Sequence, residues 1–290
     1  MQEVQYAAPT SVAEAVRLLG AGGGQARMLG GGTDLIIQLR AGARSARQII
    51  DAKRIDELNV LELDPRSGLR IGAAVPCFRV TGDRAIAAAF PGLVEATEMI
   101  GSTQIQSRAT LGGNLCNGSP AADTTPALIA LGAEAVIAGP GGRRTVAVKD
   151  FITAPGKTVL AEDEILVELR VPYPAPGSAD CYQRFIPRNE MDIAVVGVGA
   201  AIGLSGGRCV SARIALGAVG PTPIVAGDAA AELTGKVLDD AVLARAASAA
   251  MAAARPISDM RGTADFRRQV VGVLTRRVVA EAARRAAQAR

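Results

Sequence analysis

The sequence predicts an α+β chain of two domains. Its 290 residues suit about two domains of ordinary size. The segment Pro172-Tyr173-Pro174-Ala175-Pro176-Gly177-Ser178 places prolines in alternation, which bars it from a sheet interior. The boundary therefore falls there, giving domains 1–176 and 177–290. Beyond it, three strand candidates precede two alanine-rich helical segments, the pattern of a small three-stranded antiparallel sheet packed against helices.

Residues 8–20 read as a capped helix. Thr10 or Ser11 serves as N-cap, Glu14 lies in the first turn, and Val12, Ala15, Val16 and Leu19 recur at helical spacing before Gly20. Residues 25–29 form a short strand, 30–34 a loop and 35–40 a helix start. Residues 48–51 and 60–63 are short strands, and 69–73 pairs with the latter through the turn Asp64-Pro65-Arg66-Ser67-Gly68. Residues 78–100 carry two helical patterns broken at Pro91-Gly92. Thr125-Pro126 opens a helix through Leu131. Residues 133–138 and 144–148 make a hairpin around Gly139-Pro140-Gly141-Gly142, and 165–171 is a strand of alternating character. In the second domain the strands are 181–186, 193–204 and 209–219. Ser205-Gly206-Gly207 turns the last two, and 229–255 and 264–288 are helical.

Composition narrows the function. Hydrophobic residues make up 49% and charged residues 21%, which is the balance of a folded chain. Trp is absent and Phe and Tyr are few, so the core is aliphatic and no aromatic platform for single-stranded nucleic acid is present. The net charge of +4 is not clustered; the main basic run, Arg276-Arg277 with Arg284-Arg285 and Arg290, reads as a solvated helix face and not a polyanion site. There is no histidine, the commonest general base and metal ligand. Cys77, Cys116, Cys181 and Cys209 form no Cys-x-x-Cys pair, so neither a metal site nor an iron–sulfur cluster is expected on this chain. The start, Met1-Gln2-Glu3-Val4, is no signal peptide, and the longest charge-poor apolar stretch, 193–207, is short for a membrane span of roughly 20 residues. The expected location is the cytoplasm, with reduced thiols.

Two glycine-rich stretches carry the chemistry. In Gly30-Gly31-Gly32-Thr33-Asp34, backbone N–H groups ahead of a helix suit an anion such as a pyrophosphate, and a purely structural turn fits it equally. Its spacing is neither Gly-x-Gly-x-x-Gly nor that of a P-loop. In Thr110-Leu111-Gly112-Gly113-Asn114, two polar side chains flank paired glycines that let a ligand approach the backbone. Asp123 either accepts from a ribityl hydroxyl or an adenine amine, or caps the helix that begins near Thr124, and the two roles are compatible. Cys116 reads as an inert small core residue.

These stretches, with Gln104-Ile105-Gln106-Ser107-Arg108-Ala109 leading into the second, Ser119-Pro120-Ala121-Ala122-Asp123 continuing it, and Arg188 followed by Asp192-Ile193-Ala194, carry a family resemblance over the whole chain. The sequence resembles the FAD-binding medium subunit of the xanthine dehydrogenase and carbon monoxide dehydrogenase family of molybdenum hydroxylases. The resemblance implies a two-lobed FAD-binding domain of the vanillyl-alcohol-oxidase (PCMH) type, with lobes about 1–55 and 56–176, followed by the small α+β domain. It implies that the backbone of Leu29, Gly30, Gly31, Gly32, Thr33 and Asp34 holds the pyrophosphate. Thr110, Gly113, Asn114 and Asp123 would touch the flavin nucleotide, with Gly112 in the same cradle. Ile100 and Gly101 match positions near the adenine or the flavin, and Leu166 matches an apolar contact. Arg184 falls where relatives often carry a lysine near the flavin, and Gly32 where some have a larger polar residue.

The resemblance further implies FAD on this chain, a large partner subunit with a molybdenum–pterin cofactor and a small one with [2Fe-2S] clusters, assembled as a dimer of heterotrimers. Electrons would pass from the clusters to FAD and on to NAD, a quinone or dioxygen, with no catalytic side chain on this chain. A stand-alone FAD-dependent reductase of the same fold and a flavin-free adaptor are the rival readings. The pattern from Gln104 to Asn114 does not fit the first, and the intact glycines do not fit the second.

Overall fold

The computed structural model describes residues 4–189 and 191–289. The Met1-Gln2-Glu3 start and Arg290 of the basic run lie outside the described residues.

The first lobe holds β1 (Gln5–Ala7), α1 (Val12–Ala21), β2 (Ala26–Leu29), α2 (Leu35–Arg40) and β3 (Gln48–Asp51). Its three strands are parallel, in the order β1-β3-β2. Helix α1 starts where Ser11 Oγ accepts from the Glu14 N–H, while the Glu14 carboxylate accepts from the Thr10 N–H at 3.2 Å. Such reciprocal capping fixes a helix entry. Strand β1 was not expected, because three half-open residues show no alternation.

The second lobe begins with β4 (Leu61–Asp64) and β5 (Gly68–Gly72). Three helices then stand where two were expected: α3 (Cys77–Thr81), α4 (Arg84–Ala89) and α5 (Pro91–Glu98). Asp83 caps α4 through the Ala85 and Ile86 N–H groups, and Pro91 opens α5 at its first turn, where a missing N–H costs nothing. The short helices α6 (Thr103–Gln106) and α7 (Leu111–Cys116) occupy the stretch expected to be loop. There follow α8 (Thr124–Leu131), β6 (Glu134–Gly139), β7 (Gly142–Ala147), β8 (Ile152–Ala154), β9 (Lys157–Thr158) and β10 (Ile165–Val171).

The main sheet is antiparallel, in the order β4-β5-β10-β6-β7. Strand β10 is central and buried on both faces apart from Arg170, which corrects the alternating expectation. One face of β6 and β10, with Leu166 and Leu169, joins the main core around Leu93, Leu111 and Leu128. The other, with Ile165 and Val167, packs under α1 of the first lobe.

After the proline segment, β11 (Ser178–Phe185), β12 (Val196–Ser205), β13 (Arg208–Gly217) and β14 (Ile224–Val225) form an antiparallel sheet of four strands, not three. The extra strand is two residues long and follows Pro221-Thr222-Pro223, so it carries no periodic signal. Gly206 and Gly207 make the β12–β13 turn, both at positive φ. The expected 229–255 helix is two, α9 (Gly227–Leu233) and α10 (Asp240–Ala253), while α11 (Ala264–Gln288) runs as expected. This sheet and these helices enclose a core of their own.

The two halves meet where α5 packs on β11 and α8 packs on β12 and β13. Asp180 accepts from the Leu93 N–H at 2.9 Å, and Glu95 accepts from the Tyr182 N–H at 3.0 Å. Arg285 pairs with Glu95 and donates to the Asp180 carbonyl at 3.0 Å. Arg285 is therefore a clamp between the halves, which corrects its placement on a solvated face.

Candidate functional site

Strand β2 delivers the chain to residues 30–34, and α2 carries it away. Among the described residues, the backbone N–H groups of residues 30–34 donate to no protein acceptor. Gly31 lies against the second stretch so closely that a Cβ would stand 2.0 Å from the Arg108 carbonyl oxygen and 2.9 Å from Ala109 Cα. The two glycine-rich stretches thus touch backbone to backbone, which only glycine permits.

Across from it, Thr110 caps α7: its Oγ1 accepts from the Gly113 N–H at 2.8 Å. That leaves the hydroxyl hydrogen for a ligand. Asn114 Oδ1 accepts from the Thr124 hydroxyl at 2.8 Å, which turns the amide N–H groups outward as donors. The paired glycines divide their work. A Cβ on Gly112 would meet the Ala73 backbone at 2.6 Å, so this glycine packs α7 on β5's end, while Gly113 keeps the cavity side open. Gln38 Nε2 donates to Asn117 Oδ1 at 3.0 Å and Asn117 Nδ2 to Asp34 Oδ1 at 3.4 Å, tying α2 to the end of α7. Burial raises the Asp34 carboxyl, against the pull of the Arg44 charge.

Between these walls lie two adjoining cavities of about 200 and 500 Å³. Both are bordered by Arg27, Met28, Gly30, Arg44, Gly113 and Cys116, so these residues form a waist. The smaller cavity is lined by Gly31, Gly32, Thr33, Asp34, Ile100, Thr110 and Asn114; the larger runs along Gly112, Leu160 and Leu166. Such volumes suit an elongated ligand of dinucleotide size. Burial pushes the Cys116 thiol up to about 12, so at the waist it is a neutral wall.

Four of the expected residues stand off both cavities: Leu29, Gly101, Asp123 and Arg184. Leu29 ends β2. Gly101 has φ of +56° and packs on Ile105. Asp123 is not a side-chain cap: it is itself in helical conformation, and its oxygens are taken elsewhere. Oδ1 accepts from the Tyr182 hydroxyl and Oδ2 from Arg184 Nη1, each at 2.7 Å. Burial raises this carboxyl to about 6 even though Arg184 and Tyr182 pull it down. The charge of Arg184 is thus matched within the protein. Arg27, Gln38, Arg44, Asn117 and Tyr182 carried no glycine or motif signal; for Asn117 and Gln38 only closeness to the two stretches pointed to them.

Among the described residues there is no group of three or more metal-ligating acidic or thiol side chains, and no helix is long and apolar enough to cross a membrane. The geometry fits FAD: N–H groups without a protein acceptor and outward donors for a pyrophosphate and its hydroxyl-rich chain, and a larger compartment where Leu160, Ile165 and Leu166 stand beside Lys157, Glu162 and Glu164.

Comparison with known proteins agrees. The family model for the FAD binding domain in molybdopterin dehydrogenase matches residues 2–174, and that for the CO dehydrogenase flavoprotein C-terminal domain matches 182–282. The chain is 34% identical over 275 residues to the carbon monoxide dehydrogenase medium chain of Hydrogenophaga pseudoflava, covering 95% of each. It is 32% identical over 278 residues to a putative xanthine dehydrogenase FAD-binding subunit of Escherichia coli, covering 96% of this chain and 95% of that one. Among solved structures, carbon monoxide dehydrogenase from Hydrogenophaga pseudoflava superposes with a TM-score of 0.93 at 35% identity, over 98% of both chains. Quinoline 2-oxidoreductase from Pseudomonas putida 86 does so at 0.90 and 32%, again over 98% of both. With both of its domains matched and the glycine cradle in place, this chain belongs to the FAD-binding medium subunits of the carbon monoxide dehydrogenase and xanthine dehydrogenase family.

Proposed function

We propose that the chain is the electron relay of a molybdenum hydroxylase complex. It receives electrons from the [2Fe-2S] clusters of a small subunit, while a large subunit with a molybdenum–pterin cofactor oxidises the substrate. It delivers them to an external acceptor: NAD, a quinone or dioxygen. FAD, when bound, supplies the chemistry of collecting electrons singly and releasing them in pairs.

The observation that carries the reading is the run of N–H groups without a protein acceptor at residues 30–34, with Gly31 set against the backbone of Arg108. The chain's own part is to bind and hold. Thr110 and Asn114 are each fixed by one hydrogen bond and offer donors to the ligand. Cys116 stays protonated, and no other side chain at the waist is set up to transfer a proton.

The division into a FAD-binding domain at 1–176 and a C-terminal domain at 177–290 is supported by the separate cores and by the break between the two matched families. Gly30 to Asp34, Ile100, Thr110, Gly112, Gly113, Asn114 and Leu166 are proposed as the FAD-contacting set, with Leu29, Gly101, Asp123 and Arg184 as its supports. The four cysteines are free thiols, which suits the cytoplasm. Assembly as a dimer of heterotrimers completes the proposal.

Purification through a tag on this chain tests it. The expected result is co-purification of one larger and one smaller chain carrying molybdenum and iron, with FAD bleached when substrate is added. A chain that purifies alone, and oxidises a reduced nicotinamide directly through its flavin, would contradict the relay and favour a stand-alone reductase.

A further inference from the structure

We infer that Arg27 and Arg44 form a two-arginine clamp at the waist between the two cavities, and that this clamp takes the diphosphate of a dinucleotide. The inference rests on the FAD reading and adds side-chain cations to what was a backbone cradle.

Both arginines border both cavities. Three more enclosed arginines elsewhere in the chain are matched: Arg184 by Asp123, Arg267 by Asp259, and Arg285 by Glu95 and Glu281. Among the described residues Arg27 and Arg44 form no such pair. Arg27 spends Nη1 on the carbonyls of Gly24 and Ala26, at 2.7 and 2.8 Å, which fixes the guanidinium on β2. Its Nε is buried without a partner, as are those of Arg184 and Arg267, while among the described residues its Nη2 makes no hydrogen bond and is left for an acceptor. Arg44 is exposed; among the described residues its side chain makes no hydrogen bond or ion pair, and its charge reaches Asp34.

Lys157, Glu162 and Glu164 also border the larger cavity, with Glu164 held by Arg144 at 2.6 Å. Of the residues lining the smaller cavity, only Arg27 and Arg44 are cationic. A phosphate at the waist meets these two guanidinium groups, whose planar forks match phosphate oxygens. The two nucleotide halves then extend into the two cavities from a charge fixed between them.

The test uses the full chain stripped of flavin, titrated with FAD and with inorganic pyrophosphate, for wild type, Arg27→Gln and Arg44→Gln. The clamp predicts that each variant weakens FAD binding by about tenfold or more, the size of one charge-assisted phosphate contact. It also predicts a shallower dependence on salt, and that pyrophosphate competes with FAD in wild type but loses that ability in the variants. Arg27 also holds its own turn, so Arg44→Gln, which removes no bond within the protein, is the decisive arm. FAD affinity in Arg44→Gln within about twofold of wild type, with unchanged salt dependence, would overturn the clamp. A wild-type chain that binds pyrophosphate through these arginines but never binds FAD would keep the clamp and sink the FAD reading.

Discussion

Arg184 of β11 donates to Asp123 across the junction of the two halves, at 2.7 Å, and both side chains are almost fully enclosed. The Tyr182 hydroxyl reaches the other oxygen of the same carboxylate. The stretch that leaves the cofactor cradle at α7 is therefore anchored in the C-terminal sheet, and the cradle's outer wall depends on the second half.

Removing one partner of this pair leaves a buried charge alone, which typically costs about 3–5 kcal/mol. Arg184→Met is expected to lower stability by that order in a denaturant titration. Asp123→Asn combined with Arg184→Met is expected to cost clearly less than the sum of the single changes. Additive losses would mean that the two groups do not work as a pair.

Gly31→Ala tests the contact between the two glycine-rich stretches. Its Cβ would fall 2.0 Å from the Arg108 carbonyl oxygen, so the stretches must separate. The expected outcome is a stability loss of about 1–3 kcal/mol and loss of most bound flavin. Gly30→Ala, whose Cβ would stand 3.5 Å from Thr110 Oγ1, is expected to keep the fold. Full flavin occupancy in Gly31→Ala would break the argument.

Thr110→Val keeps the shape and removes the oxygen that caps Gly113. Loss of an N-cap costs typically about 1 kcal/mol, and Thr110→Ser is expected to restore it. The measurement is the thermal midpoint of the three proteins. Equal midpoints would mean that α7 does not need its cap.

Asp180 gives the pH dependence. Burial beside Glu95 raises its carboxyl to about 7, against the backbone N–H groups of Gly92 and Leu93 and the charge of Arg285. The folded chain then holds a proton that the unfolded chain has already released. Stability from this group is therefore greatest near pH 4, falls as pH rises, and is fully lost above about pH 7, with a slope of up to roughly 1.4 kcal/mol per pH unit. Asp180→Asn is expected to flatten that slope in unfolding titrations from pH 4 to 8. An unchanged slope would assign it to other groups.

The α+β class, the break at the proline segment and both glycine-rich stretches were legible because prolines and glycines mark backbone needs directly. Helix α11 was legible from its long alanine-rich run, bounded by the residues read from sequence. The short helices α6 and α7 were not, because a turn or two of helix with glycine inside gives no periodicity. Strands β1 and β14 were hidden by their length. In the site, Asp123 looked like a ligand or a cap, and only the distant residues Tyr182 and Arg184, brought near by folding, showed which groups its oxygens meet. Arg27 and Arg44 gave no local signal, since an arginine at a strand or in a loop is ordinary until a cavity forms beside it.

The central claim is that residues 30–34 and the α7 cradle hold FAD, and the most direct measurement is the visible spectrum of the purified full chain. The account predicts the two absorption bands of bound flavin, and FAD released on denaturation in about one copy per chain, as expected for one cradle. A colourless protein that takes up no FAD on reconstitution, alone or with its co-purifying chains, would contradict it.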